Sequence, residues 1–154
     1  MVRDRDQASD LTQDTLVRVI EGLPGFDGRS ALSTWVIRIA MNGCLSHLRK
    51  ARIRRHASLE GSGSAVARPI RGREELSGAE RVEYDEEALR LLDALECLDP
   101  ETRAILVLRD LQELEYARIG EVLGIAVGTV KSRLFRARAA LREAMRTMET
   151  SEDS

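Results

Sequence analysis

The chain has 154 residues, 43% of them hydrophobic and 32% charged, with a formal net charge of −2. That is enough apolar content for packed cores and too much for a disordered chain, and aromatics at only 3% leave the cores to Leu, Ile, Val and Ala, which favours helices over sheets. No apolar run approaches the roughly 20 residues of a membrane span, and "MVRDRDQASD" lacks the apolar core of a signal peptide, so a cytoplasmic protein without membrane insertion is expected.

The first predicted helix runs from Asp10 to Leu23, with Leu16, Val19, Ile20 and Leu23 at helical spacing. Asp10 followed by Gln13 has the form of a capping box, an earlier start to the helix being the other reading. "PGFDGRS" then breaks the helix through Pro24, Gly25 and Gly28, and Ser30 is an N-cap candidate for the next. The second helix runs from about Ala31 to about Arg55. Its first turns, Leu32 to Met41, are apolar almost all round and are expected to be buried on several sides. A polar stripe persists along it through Arg38, Asn42, Ser46 and Arg49. Residues 57–82 lose the periodicity and are rich in Gly and Ser, the composition of a flexible linker.

Beyond it, Leu89, Leu92 and Leu95 mark an amphipathic helix. "DPETR" restarts the chain as a helix to about Gln112, with Asp99 as N-cap, Pro100 in the first turn and Glu101 favourable to the dipole. "EYARIGEVLG" is a short helix closed by Gly124, and a last helix spans Val127 to Met148. The fold class is therefore all-α, with two small helical domains at 1–56 and 83–148 joined by the linker and followed by an acidic tail at 149–154. Cys44 and Cys97 are far apart and are expected to be reduced, partly buried thiols. Neither they nor His47 and His56 have ligand spacing, so no metal and no cofactor are expected.

The near-zero net charge hides segregation. "HLRKARIRRH" and "KSRLFRARAALR" each hold five Arg or Lys and no acid, while acids gather between Glu74 and Glu101 and at both ends. On a wheel of the last helix, Val130, Leu134, Ala137, Leu141 and Met145 share the core face, and Lys131, Ser132, Phe135, Arg136 and Arg142 lie opposite. A short helix, a glycine-closed turn and a cation-faced helix form a helix-turn-helix, whose second helix presents its N-terminal residues to base edges in the major groove. Lys131, Ser132 and Arg136 have that position. Phe135 suits a thymine methyl or a sugar, and Arg133, Arg138 and Arg142 suit phosphates.

These residues resemble a known family. "LDPETR", "YARIGEVLG" and "GTVKSRLFRAR" are similar to the promoter-reading domain of bacterial RNA polymerase sigma factors of the extracytoplasmic-function (ECF) group, in the sigma-70 family. "DLTQD", "FDGRS", "TW" and "RIAMN" are similar to that group's promoter-melting domain. The resemblance covers about Asp10 to Arg55 and Asp85 to Met148. It implies a non-enzymatic initiation factor that binds core RNA polymerase, reads the upstream promoter element as duplex and captures the minus-ten element as a melted strand. It implies that Lys131, Ser132, Phe135 and Arg136, with Arg133 and Arg138, contact the upstream element. Asn42 and the loop Phe26, Asp27, Gly28, Arg29 would hold a flipped base, with Arg38 and Arg49 along the strand. An amide can donate to and accept from a base edge, and an arginine stripe suits a single-strand backbone.

The resemblance further implies that Asp10, Gln13 and Asp14 face the coiled coil of the largest polymerase subunit. The helix from Pro100 to Gln112 would meet the flap tip of the next largest. An anti-sigma partner is also implied. Trp35 is expected in the core, a melting wedge being the other reading. The chain departs from the family at Ala126, where Pro is common, and at Asp14, where Glu is commoner. Only nine residues precede Asp10, where the family has a further helix, so that helix is expected to be missing. Two other readings remain: a stand-alone dimeric helix-turn-helix regulator, and a polymerase- or anti-sigma-docking module without melting activity.

Overall fold

The computed structural model describes residues 1–60 and 86–152, apart from the side chains of 55–60 and 151–152. All regular structure among them is helical. The first helix, α1, spans Arg5–Gly22 and so starts well before Asp10. Its capping pair is Asp4 and Gln7 rather than Asp10 and Gln13. The Asp4 carboxylate accepts from the Gln7 backbone N–H at 2.8 Å and from the Gln7 side-chain amide at 2.9 Å. Nothing between Arg5 and Asp10 breaks a helix, so the helix extends back to the first residue whose side chain can satisfy its free N–H groups.

A 3-10 turn at Leu23–Gly25, with Pro24 in its first positions, ends α1. Helix α2 follows over Leu32–Glu60. It continues beyond Arg55 into the start of the expected linker, most of which lies outside the described residues. α1 packs on α2 but buries no residue fully: Leu16, Ile20 and Leu23 are exposed, Ile20 at 71%. A helix with one main neighbour covers only a narrow stripe of its surface. The early turns of α2 are likewise half-buried rather than enclosed, with Leu32 exposed and only Thr34 and Met41 buried.

Helix α3 (Glu86–Cys97) turns Ala94 and Leu95 into the core, with Leu89 and Leu92 half-buried. Helix α4 (Pro100–Leu106) opens on the expected cap: the Asp99 carboxylate accepts from the N–H groups of Glu101 at 3.1 Å and Thr102 at 3.0 Å. Its continuation is not α-helical to Gln112. Val107–Leu111 widens into a π turn, with Gln112 N–H donating to the Val107 carbonyl, and Glu113 then takes φ 53°. Arg109 holds the turn, donating to the Leu114 carbonyl at 2.9 Å with its guanidinium 5.0 Å from the centre of the Tyr116 ring.

Helices α5 (Tyr116–Leu123) and α6 (Val127–Glu152) complete the chain, α6 running on through most of the expected acidic tail. Ile105, Leu108, Ile119 and Val130 are fully buried, joined by Leu134 and Ala137 of α6. Burying each larger side chain of this kind stabilises the fold by about 1.5–3 kcal/mol. Met41 and Leu45 of α2 belong to the same cluster, because α2 packs on α4 and α5. The two halves of the chain therefore share one core. Arg103 reinforces the junction by donating to the carbonyls of Met1, Glu96 and Leu98, while Arg3 pairs with Asp93.

Candidate nucleic-acid interface

The turn between α5 and α6 is built by two glycines with different tasks. Gly124 sits at φ 67°, the left-handed conformation that ends a helix without strain only where no Cβ is present. Its N–H and that of Ile125 both point to the Gly120 carbonyl. Gly120 is needed for closeness: a Cβ there would lie 2.8 Å from the Ile125 carbonyl oxygen. The chain can therefore fold tightly back and start α6 at Val127, with the Ala126 carbonyl accepting from Val130.

α6 is anchored by Val130, Leu134 and Ala137, which are almost wholly buried. The 3.6-residue period then places Lys131, Ser132, Arg133, Phe135, Arg136 and Arg138 at the surface. Phe135 is 74% exposed, an unusual setting for a phenylalanine that has an adjacent core available. The Ser132 hydroxyl donates to the Thr129 carbonyl at 3.1 Å, and Arg136 Nε donates to the Ser132 carbonyl at 3.4 Å, which lays its guanidinium along the helix. Arg138 is set apart from the others. It donates to both oxygens of Asp110, at 2.5 and 3.4 Å, and this partner raises its pKa further. Arg133 faces a small cleft that also contains Arg49 and Glu101.

A second set of predicted residues meets on the first half. Phe26, Asp27 and Arg29 from the loop and Arg38 from α2 line a cleft of about 500 Å³ together with Trp35. Gly28, at φ 72°, lets the loop reverse, and the Asp27 carboxylate accepts from the Arg29 N–H at 3.1 Å and pairs with its guanidinium at 2.9 Å. Trp35 is half-buried; its ring lies 5.2 Å from Phe26 and close against Gly22, where a Cβ would come within 3.0 Å. It is thus a wall of the cleft more than a core residue. Asn42, a turn beyond Arg38, is exposed. Arg49 lies further along α2 and pairs with Glu101 of α4 at 3.0 Å.

Asp10, Gln13 and Asp14 are exposed on one face of α1, and the exposed Val17 and Ile20 continue it. Cys44 is half-buried, and burial raises its pKa. Cys97 is exposed, contrary to the expectation of two partly buried thiols, because it falls on the last turn of α3 away from Leu95. Sequence reasoning missed the pairing of Asp110 with Arg138 and of Glu101 with Arg49, and the placement of Glu121, which lines the cleft of Phe26 and Arg38. Their roles depend on contacts between elements distant in sequence, for which no local pattern exists. Among the described residues, no helix is long and apolar enough to cross a membrane.

Each half of the chain matches a region of one known family. Residues 1–54 match sigma-70 region 2, and residues 88–141 match sigma-70 region 4. The chain is 36% identical over 139 residues to the ECF RNA polymerase sigma factor SigM of Mycobacterium tuberculosis, covering 90% of this chain but 64% of SigM. It is 33% identical over 150 residues to the RNA polymerase sigma-H factor of Pseudomonas aeruginosa, covering 96% of this chain and 77% of that protein. Among solved structures, the sigma factor RpoE from Bartonella quintana, crystallised with the anti-sigma factor NepR, matches at a TM-score of 0.68 and 27% identity over 94% of this chain and 84% of its own. The chain belongs to the sigma-70 family of RNA polymerase sigma factors, in its extracytoplasmic-function group, and carries the family's regions 2 and 4.

Proposed function

We propose that this chain binds core RNA polymerase and directs it to promoters, region 4 reading the upstream element as duplex and region 2 holding the minus-ten element as a melted strand. The observation that carries the reading is the pairing, in one chain, of a cation-faced α6 bearing an exposed Phe135 with an aromatic, arginine-lined cleft on region 2. The first is shaped for a major groove. The second offers ring faces and cations, which suit an unstacked base and its phosphates but not a closed duplex.

In this reading Lys131, Ser132, Phe135 and Arg136 meet base edges and Arg133 and Arg138 meet phosphates. Phe26, Asp27, Gly28 and Arg29 form the pocket of a flipped base together with Asn42, and Arg38 and Arg49 follow the strand. Asp10, Gln13 and Asp14 on α1 and the outer face of α4 dock on polymerase, which supplies all the chemistry. An anti-sigma factor is the regulatory partner, as in the complex of the similar RpoE.

The test is transcription from a promoter library by bacterial core polymerase with and without the chain. Specific transcripts that depend on the chain are expected. Polymerase binding without transcripts would leave a docking module, and absence of binding would leave a stand-alone regulator.

A further inference from the structure

Four helices converge on the small cleft that Arg133 faces. Leu45 and Arg49 come from α2, Glu101 from α4, Leu123 from α5 and Arg133 from α6, around a space of about 240 Å³. The floor is apolar: Leu45 is buried in the shared core and Leu123 packs against it. The rim is cationic. Arg49 pairs with Glu101 at 3.0 Å, which leaves Arg133 with no ion partner among the described residues. The cleft thus sets two guanidiniums against one carboxylate, a surplus of positive charge beside an apolar surface. Both members of the Arg49–Glu101 pair are more than half exposed, and a pair of that kind contributes only about 0–1 kcal/mol, so a better anion opens it readily. A phosphate is such an anion, because the planar fork of an arginine matches its oxygens two at a time.

We propose that this cleft binds a small phosphate ester, of the size of a nucleoside monophosphate. Arg49 and Arg133 hold the phosphate, Leu45 and Leu123 lie against the organic part, and the Glu101 carboxylate, released from Arg49, accepts from a ligand hydroxyl. The cleft is smaller than the roughly 300–1,000 Å³ of pockets that enclose drug-sized ligands, which suits a ligand of this size and excludes a duplex. An occupant engages Arg133 and so competes with the upstream element. The competition rests on the duplex-contacting role assigned above to Arg133; the site itself does not.

The full-length chain is titrated with adenosine monophosphate by isothermal calorimetry, with adenosine and with sodium sulfate at matched ionic strength as controls. Saturable binding of the nucleotide that neither control reproduces is expected. Arg49→Gln and Arg133→Gln should each weaken it about tenfold, the loss of one charge-assisted contact. Glu101→Gln should tighten it, because the competing charge is gone, and a gain of this kind cannot come from misfolding. Absence of binding, binding that sulfate reproduces, or an affinity that all three substitutions leave unchanged overturns the site. Affinity for a promoter duplex, measured with and without saturating nucleotide, should fall for the unaltered chain and not for R133Q. If the nucleotide binds through both arginines while duplex affinity stays the same, the site stands and the role of Arg133 on DNA falls.

Discussion

Arg138 donates to both oxygens of Asp110, so a phosphate reaching it must first displace a carboxylate. Asp110→Ala should therefore steepen the decline of log K with log salt by about 0.9 on a promoter duplex, the increment for one more phosphate contact. An unchanged slope would show that Arg138 does not touch DNA. Lys131 has no such constraint, and Lys131→Ala should relax discrimination at one upstream base pair by about 1–3 kcal/mol in binding to a panel of single-substitution duplexes. A uniform loss across the panel would make it a phosphate contact instead. At Asp99, partial burial pushes the carboxyl up, but hydrogen bonds from Thr102 and Glu101 outweigh it and hold the pKa below the ordinary value. The stability it contributes is complete above the unfolded carboxylate value of about 3.9 and disappears as the pH falls through the lower folded one. Asp99→Ala should cost about 1 kcal/mol, or roughly 2–4 °C in Tm at neutral pH. Thermal scans should show that gap closing in acid, and an equal gap at pH 3 would sink the explanation. The exposure of Lys131, Phe135 and Arg136 was legible in the sequence because one helical period fixes it. The partners of Arg49 and Arg138 were not, because each comes from another element.

The elements divide in the same way. The cap at Asp99, the left-handed close at Gly124 and the buried face of α6 were all readable, since each depends on residues within a few positions of one another. The start of α1 is ambiguous in the sequence because Asp4 and Gln7 repeat the spacing of Asp10 and Gln13, and periodicity alone does not choose between two caps on one continuous helix. The π turn at Val107–Leu111 has no signature in composition; it follows from fitting Leu108 into the core while Arg109 reaches Leu114 and Tyr116. The element most sensitive to a single atom is the turn into α6. Gly120→Ala places a methyl 2.8 Å from a backbone oxygen that cannot rotate away, so the turn itself must open. We expect a loss of about 1–3 kcal/mol in stability, typical of overpacking. Duplex binding should fall beyond what the unfolded fraction accounts for, because α6 is re-aimed. Retention of full affinity by the folded fraction would mean that the close approach serves packing alone.

For the whole molecule, composition correctly indicated two helical units, but it gave no means of anticipating that Met41 and Leu45 complete the core of the other unit. Apolar residues on α2 suit any apolar neighbour; which neighbour they meet is a property of the assembled surfaces. Thermal unfolding should accordingly be a single transition in calorimetry, with both halves melting together. Two separated transitions would show that the shared core contributes little. One placement has a use beyond stability. The chain has a single tryptophan, and Trp35 forms a wall of the cleft beside Phe26, half in and half out of solvent. An indole there emits according to the polarity of the cleft and is quenched when a base stacks nearby. The molecule thus has a built-in optical gauge of the cleft assigned above to the melted strand, readable without a label.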